Sequence, residues 1–220
     1  MVYFDKYYPK NLQYSRFIKL FYCILLSFYF CTTFVNASGG YDNGTATGKG
    51  KLGFDLTWNP NNYFPEGQSY IVLSYGFTDK FNFHSYYSDP ANGSDNYYFG
   101  LFYQFYKNKY LDLATAVGIR QYRTKSHKHL FAPQLLYTLY LFNGQRIGGS
   151  LVALREINRN NKLIGTTIDI ALIIPLFKSD SINGKVDSID FCIGVFKPVL
   201  WTPAKGKWHP TYSFDIKLNL

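Results

Sequence analysis

From Tyr212 to Leu220 the side chains alternate without a break. Tyr212, Phe214, Ile216, Leu218 and Leu220 are apolar, while Ser213, Asp215, Lys217 and Asn219 between them are polar. A helix would scatter these residues around its axis, whereas a strand with a period of two puts every apolar one on one face. The segment therefore predicts a β-strand with one greasy and one wet side. The same alternation recurs along the chain. Leu52, Phe54, Leu56 and Trp58 oppose Gly53, Asp55 and Thr57. Tyr97, Phe99, Leu101, Tyr103 and Phe105 oppose Gly100 and Gln104. Leu111, Leu113, Val117 and Ile119 oppose Asp112, Ala114, Ala116 and Gly118.

Composition sharpens this reading. Of 220 residues, 20% are aromatic and only 17% are charged, more ring surface than a water-soluble domain of this size can easily bury. Part of the Tyr, Phe, Asn and Lys excess fits an AT-rich genome, but such a bias gives abundance and not alternation. A barrel in lipid uses aromatic side chains on its outer wall and in its two interfacial girdles.

The closing segment Tyr212–Leu220 resembles the last strand of bacterial outer-membrane β-barrels, which end in alternating apolar residues. Its final residue is Leu220, where that class usually carries an aromatic. The hairpin Ser74–Phe83, with a tight Thr78-Asp79 turn between aromatic-rich strands, is similar to periplasmic hairpins of the same class. The resemblance implies an antiparallel transmembrane barrel, a Gram-negative outer-membrane location, and recognition of Tyr212–Leu220 by the insertion machinery.

The N-terminus reads as a targeting segment. Lys6, Lys10, Arg16 and Lys19 make a basic region, Leu20 to Val35 is uncharged and mainly apolar, and Val35-Asn36-Ala37 offers small-residue cleavage positions. Residues 1–37 are thus expected to be a cleavable signal peptide. Cleavage removes Cys23 and Cys31, leaving Cys192 without an intramolecular partner, as an inward space-filler. The remaining chain stays basic. Residues 38–50, rich in Gly, Thr and Asn, read as a flexible periplasmic lead-in outside the core, and 51–220 as the barrel.

Strands are expected at about 51–58, 69–77, 81–88, 97–106, 110–120, 130–142, 145–154, 162–174, 186–197 and 211–220. Ten is the expected number, with eight to twelve compatible, and most reach the ~9–11 residues a tilted strand needs to cross a bilayer. Pro175 is expected at the end of its strand. Asn143-Gly144 predicts a tight hairpin turn. Connections alternate long (59–68, 89–96, 121–129) with short (78–80, 107–109, 143–144), apart from the longer turn 178–185.

The long connections collect positive charge. Arg120, Arg123, Lys125 and Lys128 fall in one, with His127 and His129 beside them. Arg155, Arg159 and Lys162 fall in a second, and Lys197, Lys205 and Lys207 in a third. They predict a basic external mouth that attracts anionic solutes or lipopolysaccharide phosphates, or else solvated loop charges holding structural lipid. Asp55, Asp112, Asp169, Asp190, Asp215 and Lys217 fall on inward positions, where they either line an aqueous path or close a narrow lumen as an ion-pair network, the carboxylates pairing with Lys217 or other inward bases.

Catalytic chemistry has little to stand on. His84-Ser85 puts the two side chains on opposite strand faces, and His209 could be joined only by Asp89 or Asp95 across loops. His127 and His129 are at most two metal ligands. No phosphate loop, dinucleotide motif or nucleic-acid motif is present, and neither cofactor nor metal is expected. The sequence thus predicts a non-enzymatic small outer-membrane channel or surface protein. Its alternatives are a plugged structural or adhesive barrel, an outer-leaflet lipid or peptide hydrolase, and a soluble periplasmic β-barrel or sandwich.

Overall fold

The computed structural model describes residues 43–58, 68–90, 95–123, 128–157, 160, 162–179, 184–197 and 208–220. All belong to the second of two compact units into which the chain divides, Val35–Leu220. The signal-peptide expectation for residues 1–37 lies outside the described residues.

Ten antiparallel strands form a closed barrel. They are β1 (Lys51–Trp58), β2 (Gln68–Gly76), β3 (Phe81–Pro90), β4 (Asn96–Lys107), β5 (Leu111–Tyr122), β6 (Lys128–Tyr140), β7 (Arg146–Glu156), β8 (Lys162–Lys178), β9 (Val186–Lys197) and β10 (His209–Asn219). Each strand pairs with its sequence neighbours, and β10 returns to pair with β1 from Lys51↔Asn219 to Trp58↔Tyr212. The seam is reinforced by Lys51 Nζ, which reaches past β10 to Asp187 of β9 at 2.7 Å. Closure leaves no strand edge unpaired, the condition under which a sheet can enter hydrocarbon.

The period of two sorts the side chains radially. Outward positions carry exposed large apolar residues around the wall, among them Leu56, Leu73, Phe99, Leu101, Ile119, Leu135, Leu151, Ile170 and Phe214. Inward positions mix small, polar and charged residues with buried rings and aliphatics such as Tyr98, Phe102, Leu136 and Ile173, and many are fully buried. An 11-residue strand such as β7, rising about 3.3 Å per residue and tilted about 40°, covers about 28 Å, close to the ~25 Å apolar band of outer-membrane barrels. The molecule therefore has the architecture of that class.

Small inward residues on β4 and β5 have a specific task. Gly100 and Gly118 pair across the two strands, and the Tyr98 ring lies over both, where any Cβ would collide with it. Phe102, Ala114, Ala116 and Leu136 make an apolar core patch beside them.

Several expectations are corrected. The strands run further than the polar loops suggest: β3 reaches Pro90 and β4 begins at Asn96, so the connection expected over 89–96 shrinks to 91–95. That over 121–129 likewise shrinks to 123–127. One end of the barrel (the loop end) carries 59–67, 91–95, 123–127, 157–161 and 198–208, and the other (the turn end) carries 77–80, 108–110, 141–145 and 179–185. The length asymmetry is weaker than predicted, because 179–185 exceeds three of the loop-end connections. Pro175 does not end β8 but sits within it, opposite Asp190 at a register shift before Phe177. A bulge accommodates the missing N–H. Asn143 and Gly144 both adopt positive φ, 57° and 76°, as a tight Asn-Gly turn requires.

The largest correction concerns residues 43–50. They are not a lead-in outside the core but lie inside the barrel, with Ala46 in the apolar patch of Phe102, Ala114, Ala116 and Leu136. Their polar groups, which made them read as loop, are satisfied by inward polar groups of the wall.

Candidate functional site: the barrel interior

The interior divides into two chemically different halves. Toward the turn end it is acidic. Asp55 of β1, Asp215 of β10 and Asp190 of β9 occupy one continuous cross-strand row. Like charges in such a row repel and need counter-charges. Arg146 Nη2 of β7 reaches Asp190 at 2.5 Å, and Lys217 stands two positions along β10. Asp112 on β5 is fully buried and accepts from Tyr140 Oη at 2.7 Å and Thr45 Oγ1 at 3.0 Å. Asp169 on β8 accepts from the Ser150 backbone N–H at 3.0 Å and from the Ser150 hydroxyl.

The carboxylates predicted to face inward thus do so; Asp190 pairs with an inward base, Arg146, as expected, whereas Asp55, Asp112 and Asp169 take hydroxyl or amide partners. Hydroxyls meet Asp112 at Oδ2 while its buried Oδ1 has no hydrogen bond among the described residues, a hydroxyl and a backbone amide meet Asp169, Thr57 Oγ1 donates to Asp55 at 2.7 Å, and Arg146 makes the ion pair of Asp190. Arg146 escaped the sequence reading because it begins its strand beside a turn. Its parity with Gly148 and Ser150 was the signal that marks it as inward.

Toward the loop end the interior is aromatic and cationic. Tyr86 and His84 each stack on Tyr98, both with ring centroids 5.1 Å away. Phe131 meets Tyr98 edge-on at 5.3 Å. The Tyr98 hydroxyl accepts from Gln134 Nε2 at 3.0 Å and lies 2.9 Å from His84 Nε2. Arg120 belongs to this cluster. Its guanidinium lies 5.1 Å from the Tyr122 ring and 5.0 Å from the Phe131 ring, with Nη2 3.2 Å from His129 Nδ1. Arg120, His129 and Glu156 are successive partners in the register of β5, β6 and β7.

This corrects the expectation for Arg120. It is not a loop charge but an inward β5 residue, in phase with Asp112, Ala114, Ala116 and Gly118. Arg155 is corrected too, since it lies in β7 and its Nε donates to the Ala132 carbonyl at 3.1 Å. Lys128 opens β6 and is exposed. Arg123 is exposed at the loop end, where its guanidinium contacts Asp95 at 3.2 Å. That contact, with a hydrogen bond from Tyr87 Oη at 3.2 Å, holds the Asp95 carboxyl below its ordinary pKa. Lys125, Arg159, Lys205, Lys207 and His127 lie outside the described residues, as does the His209 side chain. His84 points inward and Ser85 outward, so they do not meet.

Residues 43–50 cross the turn end between these walls. The Gly44 amide donates to Thr138 Oγ1 at 3.0 Å, and Thr45 Oγ1 lies 3.0 Å from the same oxygen. The Ala46 amide donates to Gln104 Oε1 at 3.3 Å, and Thr47 Oγ1 donates to Ser74 Oγ at 2.9 Å. The chain then turns through Gly48 and Gly50, whose φ values are +94° and +69°, into β1.

No protein-family model and no curated protein matches the sequence. Among solved structures, the chain is similar to a KdgM porin in complex with disordered oligogalacturonate, with a TM-score of 0.46, 8% identity, and coverage of 77% of this chain and 99% of that one. It is similar also to a KdgM porin solved alone, with a TM-score of 0.45, 8% identity and the same coverage.

Proposed function

We propose that the protein is a non-enzymatic outer-membrane β-barrel of the channel class, with a basic external mouth that favours small anionic solutes or lipopolysaccharide phosphates. The observation that carries the reading is the radial sorting of a closed ten-strand wall, with large apolar side chains exposed outward and Asp112, Asp169, Asp190, Gln104, Gln134 and Thr138 buried inward. A water-soluble barrel would be expected to invert it. Exposed Arg123 and Lys128 at the loop end, with Arg120 inside, support the anionic preference. In this reading the loop end faces outward, and Tyr212–Leu220 is the segment read by the insertion machinery. Purified protein in planar bilayers should give discrete conductance steps with a reversal potential on the anion side in a salt gradient. Cation selectivity would instead assign control to the acidic row Asp55, Asp215 and Asp190.

A second reading, a structural or adhesive barrel with a solid interior, is favoured by one observation. Inward Asp112 and Thr138 are 0% exposed, and Gln104 and Ser150 are 1% exposed. A barrel of this kind would insert and stay silent in the bilayer, whatever residues 43–50 are doing.

A further inference from the structure

Residues 43–50 occupy the turn end of the lumen by a fit that involves both surfaces. A Cβ on Gly44 would stand 2.7 Å from the Asp112 carbonyl and 2.8 Å from Tyr137 Cα. A Cβ on Gly148 of β7 would stand 2.9 Å from Asn43 Cβ, and one on Gly76 of β2 would run into the Gly48 backbone. Glycine on the segment and glycine on the wall are both needed for the approach.

The bonds that hold the segment are of a particular kind. Apart from Ala46, the smallest of apolar side chains, its described side-chain partners beyond the segment itself are polar: hydroxyls and amides meet Ser74, Asp79, Gln104, Asp112 and Thr138. Each such bond replaces one to water, so its net contribution is modest, and every group involved can return to water when the segment leaves. The wall strands do not depend on it, because their ladders close around the barrel without it. Gly48 and Gly50, flanking Lys49, supply a joint: the Lys51 amide donates to the Gly48 carbonyl at 3.1 Å and the Gly50 amide to the Gly76 carbonyl at 2.9 Å.

We propose that residues 43–50 are a displaceable plug that holds the lumen closed at the turn end and swings out about the Gly48–Gly50 joint to let solute pass. This deepens the channel reading and rests on it. The polar partners left on the wall then line the opened passage, with Asp112 as its charged member.

The test is a reversible lock. Thr45 Oγ1 and Thr138 Oγ1 are 3.0 Å apart, so Thr45→Cys with Thr138→Cys, in a Cys192→Ala background, places two thiols within reach. Diamide takes up the two electrons and two protons lost as the disulfide forms, and dithiothreitol returns them. In planar bilayers the reduced protein should open at least as readily as wild type, because both substitutions remove hydroxyls that hold the segment. The oxidised protein should lose its openings, and reduction should restore them. A second variant lacking residues 43–47 should conduct several-fold more than wild type while keeping a heat-modifiable band. The proposal is overturned if the oxidised and reduced proteins conduct alike, if the cysteines fail to cross-link, or if the folded deletion variant conducts no more than wild type. Silence in every inserted variant, the deletion included, would remove the channel reading itself. Ordinary wild-type conductance unaffected by lock or deletion would remove only the plug.

Discussion

Truncating Tyr98 should be among the most destabilising single changes in this barrel, and the loss should come in two separable parts. The side chain is 3% exposed. Its ring stacks with Tyr86 and with His84, meets Phe131 edge-on and covers Gly100 and Gly118. Removing a buried aromatic ring to alanine costs about 3–5 kcal/mol in transfer and cavity terms. The packed ring pairs carry about 0.5–1.5 kcal/mol each beyond area, and the two bare glycines beneath it cannot close the gap. The hydroxyl is a smaller item. Tyr98→Phe leaves Gln134 Nε2 and His84 Nε2 short of a partner, at about 1–3 kcal/mol. Gln134 Nε2 keeps its bond to the Phe131 carbonyl at 3.1 Å, which puts the expected cost at the lower end. Tyr98→Ala should therefore cost about 4–6 kcal/mol and Tyr98→Phe about 1–2 kcal/mol. Urea unfolding of detergent-refolded protein, followed as the fraction of the fast-migrating unboiled band, measures both. A Tyr98→Ala protein within about 1 kcal/mol of wild type would refute the packing argument. Equal losses in the two variants would show that the hydroxyl network, and not the ring over Gly100 and Gly118, holds this half of the barrel.

Leu101, 46% exposed on the outward face of β4, should lose about 2–4 kcal/mol on Leu101→Arg in bilayers if it sits near the midplane, and a neutral or stabilising change there would contradict a lipid-facing wall. Arg146→Ala should cost about 3–5 kcal/mol by stranding the buried Asp190 carboxylate. Adding Asp190→Asn should recover much of that loss in the same urea assay, and strictly additive losses would mean the two side chains are not coupled. Asp95 should titrate below its ordinary value near about 3.9 because of Arg123. With the folded-state value lowered, its contribution to stability is complete above the ordinary pKa and fades as pH falls through the lowered one. Carboxyl carbon NMR of Arg123→Gln should show the Asp95 midpoint moving up, and an unmoved midpoint would assign the shift to Tyr87 instead.

The wall was legible in the sequence because its physics is local. Alternation in β1, β4, β5, β8 and β10 follows from a period of two, and Asn143-Gly144 announces its own turn. Less legible was whatever depends on distant partners. Residues 43–50 look like loop because glycine, threonine and asparagine show no apolar rhythm. Their bonds reach Asp112 and Thr138, 67 and 93–94 residues away, and sequence spacing gives no hint of that. Arg120 was drawn into a loop by the charged residues that follow it, although its parity with Gly118 placed it inside. Pro175 looks like a strand end because a lone sequence cannot show that the β9 register slips opposite it. The inward aspartates were identifiable by parity, but their partners were not: pairing with Arg146, Ser150 and Tyr140 is set by the register of neighbouring strands.

Closure around a lipid-facing wall can be read from a heat-modifiability gel on protein extracted from fractionated membranes. Unboiled protein in the outer-membrane fraction should migrate faster than boiled protein, because the β1–β10 seam keeps the barrel compact in detergent. A soluble protein whose mobility is the same before and after boiling would contradict it.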